Sequence, residues 1–234
     1  MKPNAGKENN AKDVDAMLFC WSGGKDSAMA LHVLRQQHVT VVGLLTTVTD
    51  GYDRISMHGV RRTLLLQQAE ALRLPLCEVR IPPQCVNPIY EKRMRDALLS
   101  QRENGVHRVA FGDIFLQDLR EYRERNLAQV GMTAIFPIWK RNTKELAQDF
   151  CAKGFRAITV CVDPKKLSHE FAGRELDESF FRDLPESVDA CGENGEFHTF
   201  VYDGPIFSHP VAVERGEVVE RDGYYFCDLK ETAK

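Results

Sequence analysis

Ser22-Gly23-Gly24-Lys25-Asp26-Ser27 is the stretch whose residue types point most directly to chemistry. It follows the apolar run at residues 17–20 and precedes a helical pattern at residues 28–34, so it reads as a strand–loop–helix junction. Backbone N–H groups, the positive helix end and two serine hydroxyls then converge on one point, which suits a phosphate group. The glycines permit positive φ and close approach of the backbone to an anion. Lys25 would add a mobile positive charge, and Asp26 could reach a magnesium ion travelling with the phosphates. The loop is not a Walker motif, which needs four residues between its glycines and then Lys-Ser or Lys-Thr. The competing reading is a glycine turn that merely starts a helix with a serine cap.

The second chemically dense stretch is Cys191-Gly192-Glu193-Asn194-Gly195-Glu196-Phe197-His198-Thr199-Phe200. Two carboxylates, a histidine and a hydroxyl, threaded by two glycines, read as a site rather than a core. Alternation after Gly195 predicts Glu196, His198 and Phe200 on one strand face and Phe197 and Thr199 on the other. The plain alternative is the polar edge of an exposed hairpin. Three further groups complete the candidates. His58 and Arg61 could hold an anionic substrate or phosphate, although His58 also reads as a helix-start residue in a solvated loop. Asp113, after Gly112, sits at the end of a strand and could serve either a ligand or a helix N-cap.

The elements that must position these groups alternate strand and helix. Residues 39–48 are rich in β-branched side chains and read as a strand, followed by a loop at 49–57 carrying Asp50, Gly51 and Asp53. A helix at 60–72, a strand at 75–81, a helix at 88–103 and a strand at 106–111 follow. This order predicts an α/β fold, a parallel sheet covered by helices on both faces. Such sheets bind ligands beyond the carboxyl ends of their strands, where strand order switches. The charge-dense helix at 118–126 places Arg120, Arg123 and Arg125 on a solvated face. A strand within 132–139, a helix from the cap Asn142 to Gly154 and a strand at 155–162 continue the chain. A hairpin of 211–213 and 218–219, joined by Glu214-Arg215-Gly216-Glu217, and an additional strand at 224–227 close it. The expected division is a disordered tail at 1–16, a nucleotide-binding domain at 17–129 and a smaller α/β lobe at 130–234 carrying substrate and catalytic groups.

Composition narrows the class of partner. The 234 residues suffice for one large or two small domains. A formal charge of −3 argues against a protein that holds nucleic acid by neutralising phosphates. No apolar run approaches the roughly 18–20 residues of a membrane span, so no membrane partner is expected. Residues 1–16 lack the apolar core of a signal peptide, and a cytoplasmic protein is expected. Seven cysteines without a Cys-x-x-Cys pair predict reduced thiols and no structural zinc.

Taken together, Ser22–Ser27 and Gly192-Glu193-Asn194-Gly195-Glu196-Phe197-His198-Thr199 resemble the two motifs of the diphthine–ammonia ligase family of PP-loop ATP pyrophosphatases, in a bacterial-type member. Weaker matches fall in the same order: Gln68-Ala69-Glu70, Leu74-Pro75-Leu76, Gly112-Asp113-Ile114, Pro137-Ile138-Trp139, Gly173-Arg174-Glu175-Leu176-Asp177 and Asp203-Gly204-Pro205-Ile206-Phe207. The resemblance implies a Rossmann-like domain of the adenine nucleotide α-hydrolase type and an ATP- and Mg2+-dependent amidation. ATP adenylates a carboxylate with release of pyrophosphate, and ammonia then displaces AMP. Ser22, Gly23, Gly24, Lys25, Asp26 and Ser27 would cradle the nucleotide phosphates, with Asp26 positioning magnesium and Gly112 and Asp113 bordering the nucleotide. Glu193, Glu196, His198 and Thr199 would bind substrate, orient ammonia or accept its proton. The acceptor carboxylate would lie on a modified elongation factor or, with the same chemistry, on a small molecule. Asn194 and Phe197 depart from the family pattern of glycine and tyrosine, leaving both carboxylates and His198 in place. A PP-loop enzyme that modifies tRNA and a nucleotide-binding sensor without catalysis are the rival readings, and monomer and homo-oligomer both stay open.

Overall fold

Met17 and Phe19 pack into one hydrophobic core and Leu18, between them, into another, and all three are buried. A strand buried on both faces is what a parallel sheet sandwiched by helices requires. The computed structural model describes residues 16–55 and 58–232, so the expected tail lies, except for Ala16, outside the described residues. The elements run β1 (Met17–Cys20), α1 (Lys25–Gln36), β2 (Val41–Thr49), β3 (Arg54–Ile55), α2 (Arg62–Leu72), β4 (Leu76–Ile81), α3 (Asn87–Glu103), β5 (Arg108–Ala110), α4 (Gln117–Gln129) and β6 (Thr133–Ile135). They continue with α5 (Thr143–Ala152), β7 (Arg156–Val162), a short 3-10 turn at His169–Phe171, α6 (Glu178–Asp183), β8 (Phe197–Asp203), β9 (Val213–Arg221) and β10 (Tyr224–Glu231).

In the first sheet β4, β2, β1, β5 and β6 are parallel neighbours in that spatial order. The order runs one way from β1 to β4 and the other way through β5 to β6. The switch point therefore falls between β1 and β5, where the loop at Ser22–Ser27 and the turn at Gly112-Asp113 both emerge. Leu64 and Leu65 of α2 share the core of Met17 and Phe19, while Leu98 of α3 and Leu127 of α4 share the core of Leu18. Helices thus cover both faces, as alternation predicts. The expected lobe boundary at residue 129 precedes β6, which still belongs to this sheet.

Local chemistry explains where element bounds differ from expectation. Helix α1 starts at Lys25 rather than Ala28, because Lys25, Asp26 and Ser27 form its first turn and Asp26 suits the positive helix end. The expected loop at 49–57 contains the two-residue strand β3, which pairs antiparallel with Val48 and Thr49. Asn142 caps α5 as expected, its Oδ1 accepting from the N–H groups of Lys144 and Glu145 at 3.0 and 3.1 Å.

The second sheet is antiparallel in the order β8-β7-β10-β9. Its hairpin corrects the expected one. Residues 214–217 are not a turn but the interior of β9, and the chain reverses at Asp222-Gly223. Both turn residues have positive φ, 53° and 79°, which a two-residue hairpin of the favoured twist demands. The glycine read as a turn former, Gly216, instead lets β9 approach Asp228 of β10, where the ladder register shifts. The two lobes share one continuous core, in which Phe180, Phe197 and Phe200 join Met17 and Phe19. The sheets are therefore fixed against one another, and the groove between them can hold a defined site.

Candidate active site

Ser22–Ser27 folds as a tight loop held from three sides. Ser22 Oγ and Ser27 Oγ lie 2.8 Å apart, and Gly24 N–H donates to Ser22 Oγ at 3.3 Å. The Lys25 N–H donates to Thr199 Oγ1 at 3.0 Å, so the second motif meets the first directly. A Cβ on Gly24 would stand 3.2 Å from Thr199 O and 3.3 Å from His58 Cε1, leaving the backbone bare where both motifs meet. Lys25 is almost wholly buried; its ammonium pairs with Asp26 at 2.8 Å, donates to the Cys191 carbonyl and lies 5.2 Å from the Phe197 ring centre. Burial works against that charge, but Asp26 and the neighbouring carboxylates hold the Lys25 pKa above its ordinary value. The lysine is therefore cationic at neutral pH.

The Cys191–Phe200 stretch supplies the opposite wall. Glu193 Oε1 accepts from the N–H of Ile114 at 2.8 Å and of Phe115 at 3.3 Å, fastening this wall to the turn after β5. Burial, reinforced by Asp26 and Asp113, pushes the Glu193 carboxyl up to about 7 despite those two donors. The His58 and His198 rings lie against one another, centres 4.7 Å apart and planes tilted by 37°. Burial lowers His58 to about 3 and His198 to about 4, so both rings are neutral at pH 7. His58 Nδ1 is buried without a hydrogen-bond partner among the described residues.

These shifts predict a separable pH dependence of stability. Folded Glu193 binds its proton more tightly than unfolded Glu193, so its contribution is present at low pH and is lost as pH rises from about 4.5 to about 7. The upper bound is about 3 kcal/mol, less whatever solvent screens. The histidines act with the opposite sign, costing stability as pH falls below about 6.5. Subtracting the stability–pH curve of Glu193→Gln from that of the unaltered protein isolates the carboxyl. A difference that declines between pH 5 and 7 is expected, and a flat one contradicts the raised pKa.

Ser22, Gly24, Lys25, Asp26, Ser27, His58, Gly112, Asp113, Glu193, His198 and Thr199 all line one cavity of about 500 Å3 at the switch point. That volume is in the range of small-molecule sites. Gly23 lies just behind the wall, its carbonyl accepting from the Val201 N–H at 2.9 Å. Two further candidates are not brought to the cavity. Arg61 pairs with Asp228 of β10 at 2.6 Å, alongside Arg54 at 3.0 Å, and so ties the His58 loop to the second sheet. Glu196 precedes β8 and turns inward, its Oε1 accepting from the Asp189 N–H at 3.2 Å and from Asn194 Nδ2 at 3.0 Å. Strict alternation also fails at His198 and Thr199, which both reach the cavity. The ladder register shifts between Thr159 and Cys161 opposite them.

Some site groups have little signature in the sequence. Arg123 does not decorate a solvated face; it pairs with Asp113 at 2.6 Å, lies 4.4 Å from the Phe111 ring centre and lines the cavity. Asp113 consequently serves that pair, and α4 starts at Gln117 after Leu116, which offers no side-chain cap. Asp189 Oδ2 accepts from the N–H groups of Cys191 and Glu193, a local turn that an Asp two residues before a Cys-Gly pair could have signalled. Among the described residues no three His, Cys, Asp or Glu side chains converge as a metal cage. Asp26, partly open to the cavity, fits a magnesium ion that takes most of its ligands from nucleotide phosphate and water.

A parallel sheet with a glycine loop at its switch point, walled by an acidic motif beside an antiparallel second sheet, defines a two-lobed α/β protein with a cavity between the lobes. Family models extend that class to a particular kinship. The diphthamide synthase N-terminal domain matches residues 15–134 and the diphthamide synthase C-terminal domain matches residues 142–234. The chain belongs to the diphthamide synthase family. It is similar to the diphthine–ammonia ligase of Bos taurus, 28% identical over 235 residues that cover 89% of this chain and 86% of that protein. The Homo sapiens diphthine–ammonia ligase is 27% identical over 225 residues, 85% of this chain and 82% of its own. The Schizosaccharomyces pombe diphthine–ammonia ligase is 27% identical over 232 residues, 91% of this chain but only 38% of its own length. Among the described residues no helix is long and apolar enough to cross a membrane.

Proposed function

We propose that the protein is an ATP-dependent amide-forming ligase, which activates a carboxylate as its adenylate and then aminates it with ammonia. The observation that carries this reading is the 3.0 Å bond from the Lys25 N–H to Thr199 Oγ1, which joins a phosphate-type loop to the acid- and histidine-bearing motif at one wall. In the first step a carboxylate oxygen attacks the α-phosphorus of ATP and the bond to pyrophosphate breaks. Ser22, Gly24, Lys25 and Ser27 hold the departing pyrophosphate, where preorganised donors stabilise developing charge. Gly112 and Asp113 border the nucleotide. Magnesium, held by Asp26 and phosphate oxygens, would neutralise charge on the transferred groups.

In the second step the ammonia nitrogen attacks the acyl carbon, the C–O bond to AMP breaks and the nitrogen loses a proton. His58 and His198, neutral at pH 7, accept hydrogen bonds from the incoming ammonia. Glu193, half-ionised near neutrality, is the base that takes the proton. Arg61 acts through Asp228 on the His58 loop, and Glu196 through the Asp189 turn on Glu193. The name shared by the relatives suggests diphthine, a modified residue of an elongation factor, as acceptor. A small-molecule carboxylate would meet the same chemistry.

The test is ATP–pyrophosphate exchange with purified protein, magnesium and ammonia, using cell extract divided into protein and small-molecule fractions. Exchange that needs the protein fraction supports a macromolecular acceptor such as diphthine. Exchange that needs only the small-molecule fraction supports a metabolite. No exchange with either, despite measurable ATP binding, overturns the adenylation reading in favour of a sensor or of a nucleic-acid substrate.

A further inference from the structure

The amide of Gln68, on α2, is completely buried and lies behind the glycine loop rather than in the cavity. Its Oε1 accepts from Trp21 Nε1 at 2.9 Å, and its Nε2 donates to Gly23 O at 3.0 Å and to Val201 O at 2.6 Å. An indole N–H can only donate and carbonyls can only accept, so these partners fix which end of the amide is which. Both amide hydrogens and the oxygen are used. One side chain thus joins α2, the loop after β1 and β8 of the other lobe. It also comes so close that a Cβ on Gly23 would stand 2.8 Å from Gln68 Oε1, at a residue whose φ is +82°.

From this network we infer that Gln68 is a positioning residue for the phosphate loop: by holding the Gly23 carbonyl away from the cavity it turns the Gly24 N–H toward it. The carbonyl of Gly23 and the N–H of Gly24 belong to one planar trans peptide and must point in opposite directions. Gly23 O is anchored on the far side by Gln68 Nε2 and by the Val201 N–H, which lies 2.9 Å away. The same peptide's N–H then faces Ser22 Oγ at the cavity wall. Glycine at 23 would otherwise let this peptide flip at little cost. Without Gln68, Val201 supplies one donor where two now act, and the Val201 carbonyl loses its side-chain donor. The inference rests on the reading of this loop as a phosphate site.

The experiment titrates pyrophosphate, and separately Mg-ATP, into the full chain and into Gln68→Glu and Gln68→Met, following affinity by calorimetry and the Gly24 amide by 1H–15N NMR. Gln68→Glu keeps the acceptor for Trp21 and leaves at most one donor, that of a buried neutral carboxyl, for two carbonyls; Gln68→Met keeps bulk and removes all hydrogen-bonding polarity. Affinity at least about tenfold weaker in the folded variants is expected, with the Gly24 resonance displaced before ligand is added. A merely structural glutamine would lower the melting temperature yet leave the affinity of the folded fraction and the Gly24 resonance in place, and that result overturns the inference. If Gln68→Glu fails to fold, the Gln68→Met data decide by the same criterion. If the unaltered protein binds neither pyrophosphate nor ATP, the phosphate-site reading itself falls and the positioning role falls with it.

Discussion

Replacing Lys25 by methionine is expected to lower ATP–pyrophosphate exchange about 10²- to 10³-fold, the loss seen when one preorganised donor to developing charge is removed. The residue is 4% exposed at its side chain, its ammonium lies 5.2 Å from the Phe197 ring centre, and methionine keeps most of its length and bulk. What methionine cannot replace is the charge. In the free protein that charge is held by Asp26 and the Cys191 carbonyl, and entry of a polyanion offers it a stronger partner a short distance away. The substitution also leaves Asp26 without its cation, at a cost of about 1–3 kcal/mol that its partial exposure keeps low. Exchange rates are therefore compared per folded molecule, with thermal denaturation run alongside. Lys25→Arg tests the geometry, since a planar guanidinium is larger than the buried ammonium it replaces and fixes its donors in one plane. Exchange within about threefold of the unaltered protein in Lys25→Met, a difference under about 1 kcal/mol in barrier, would remove the lysine from the reaction.

The sequence made the parallel sheet readable because its signals are local and repeated. β-Branched runs, helical apolar spacing and turn residues alternate through residues 39–111, and burial on both faces leaves few other folds for them. The loop at Ser22–Ser27 was equally readable, because two glycines between an apolar strand and a helix constrain the backbone itself. Side-chain direction in the second motif was harder. Glu196 looked equivalent to Glu193, but whether a carboxylate faces a cavity or a turn depends on where β8 begins and on a register shift in β7, neither written in Glu196's neighbours. Arg61, Arg123 and Gln68 depended on partners far along the chain or across a turn. Asp228 comes 167 residues after Arg61, and Val201 comes 133 after Gln68. Charge-dense helices usually point such arginines at solvent, and only the close approach of α4 to β5 puts Arg123 on Asp113. The hairpin differs from the sequence expectation for a simpler reason. Glu-Arg-Gly-Glu contains a glycine, whereas Asp222-Gly223 satisfies the positive φ demanded at both turn positions.

Gly112→Ala is expected to cost the site more than it costs the fold. A Cβ at 112 would lie 2.8 Å from Ser27 N and 2.9 Å from Asp26 C, both backbone atoms in the first turn of α1. Neither can rotate aside as a side chain would, so β5 and α1 must separate by several tenths of an ångström. Overpacking of this kind costs about 1–3 kcal/mol, which in a chain of this size lowers the melting temperature by about 2–10 °C. The displacement falls where the turn after β5 and the Ser22–Ser27 loop face each other, and Glu193 is fastened to that same turn through Ile114 and Phe115. A shift there misaligns the two walls of the cavity together, and a misplacement approaching 1 Å can cost about 10²-fold in rate. Gly154→Ala is the matched comparison. Gly154 has φ +79° and open space around it, so alanine pays only backbone strain of about 1–2 kcal/mol at the end of α5, away from the cavity. With melting temperatures compared, Gly112→Ala is expected to lose nucleotide affinity and exchange while Gly154→Ala keeps both in its folded fraction. Equal loss in the two variants would mean that stability alone governs activity, and that the contact between Gly112 and the first turn of α1 does not set the geometry of the site.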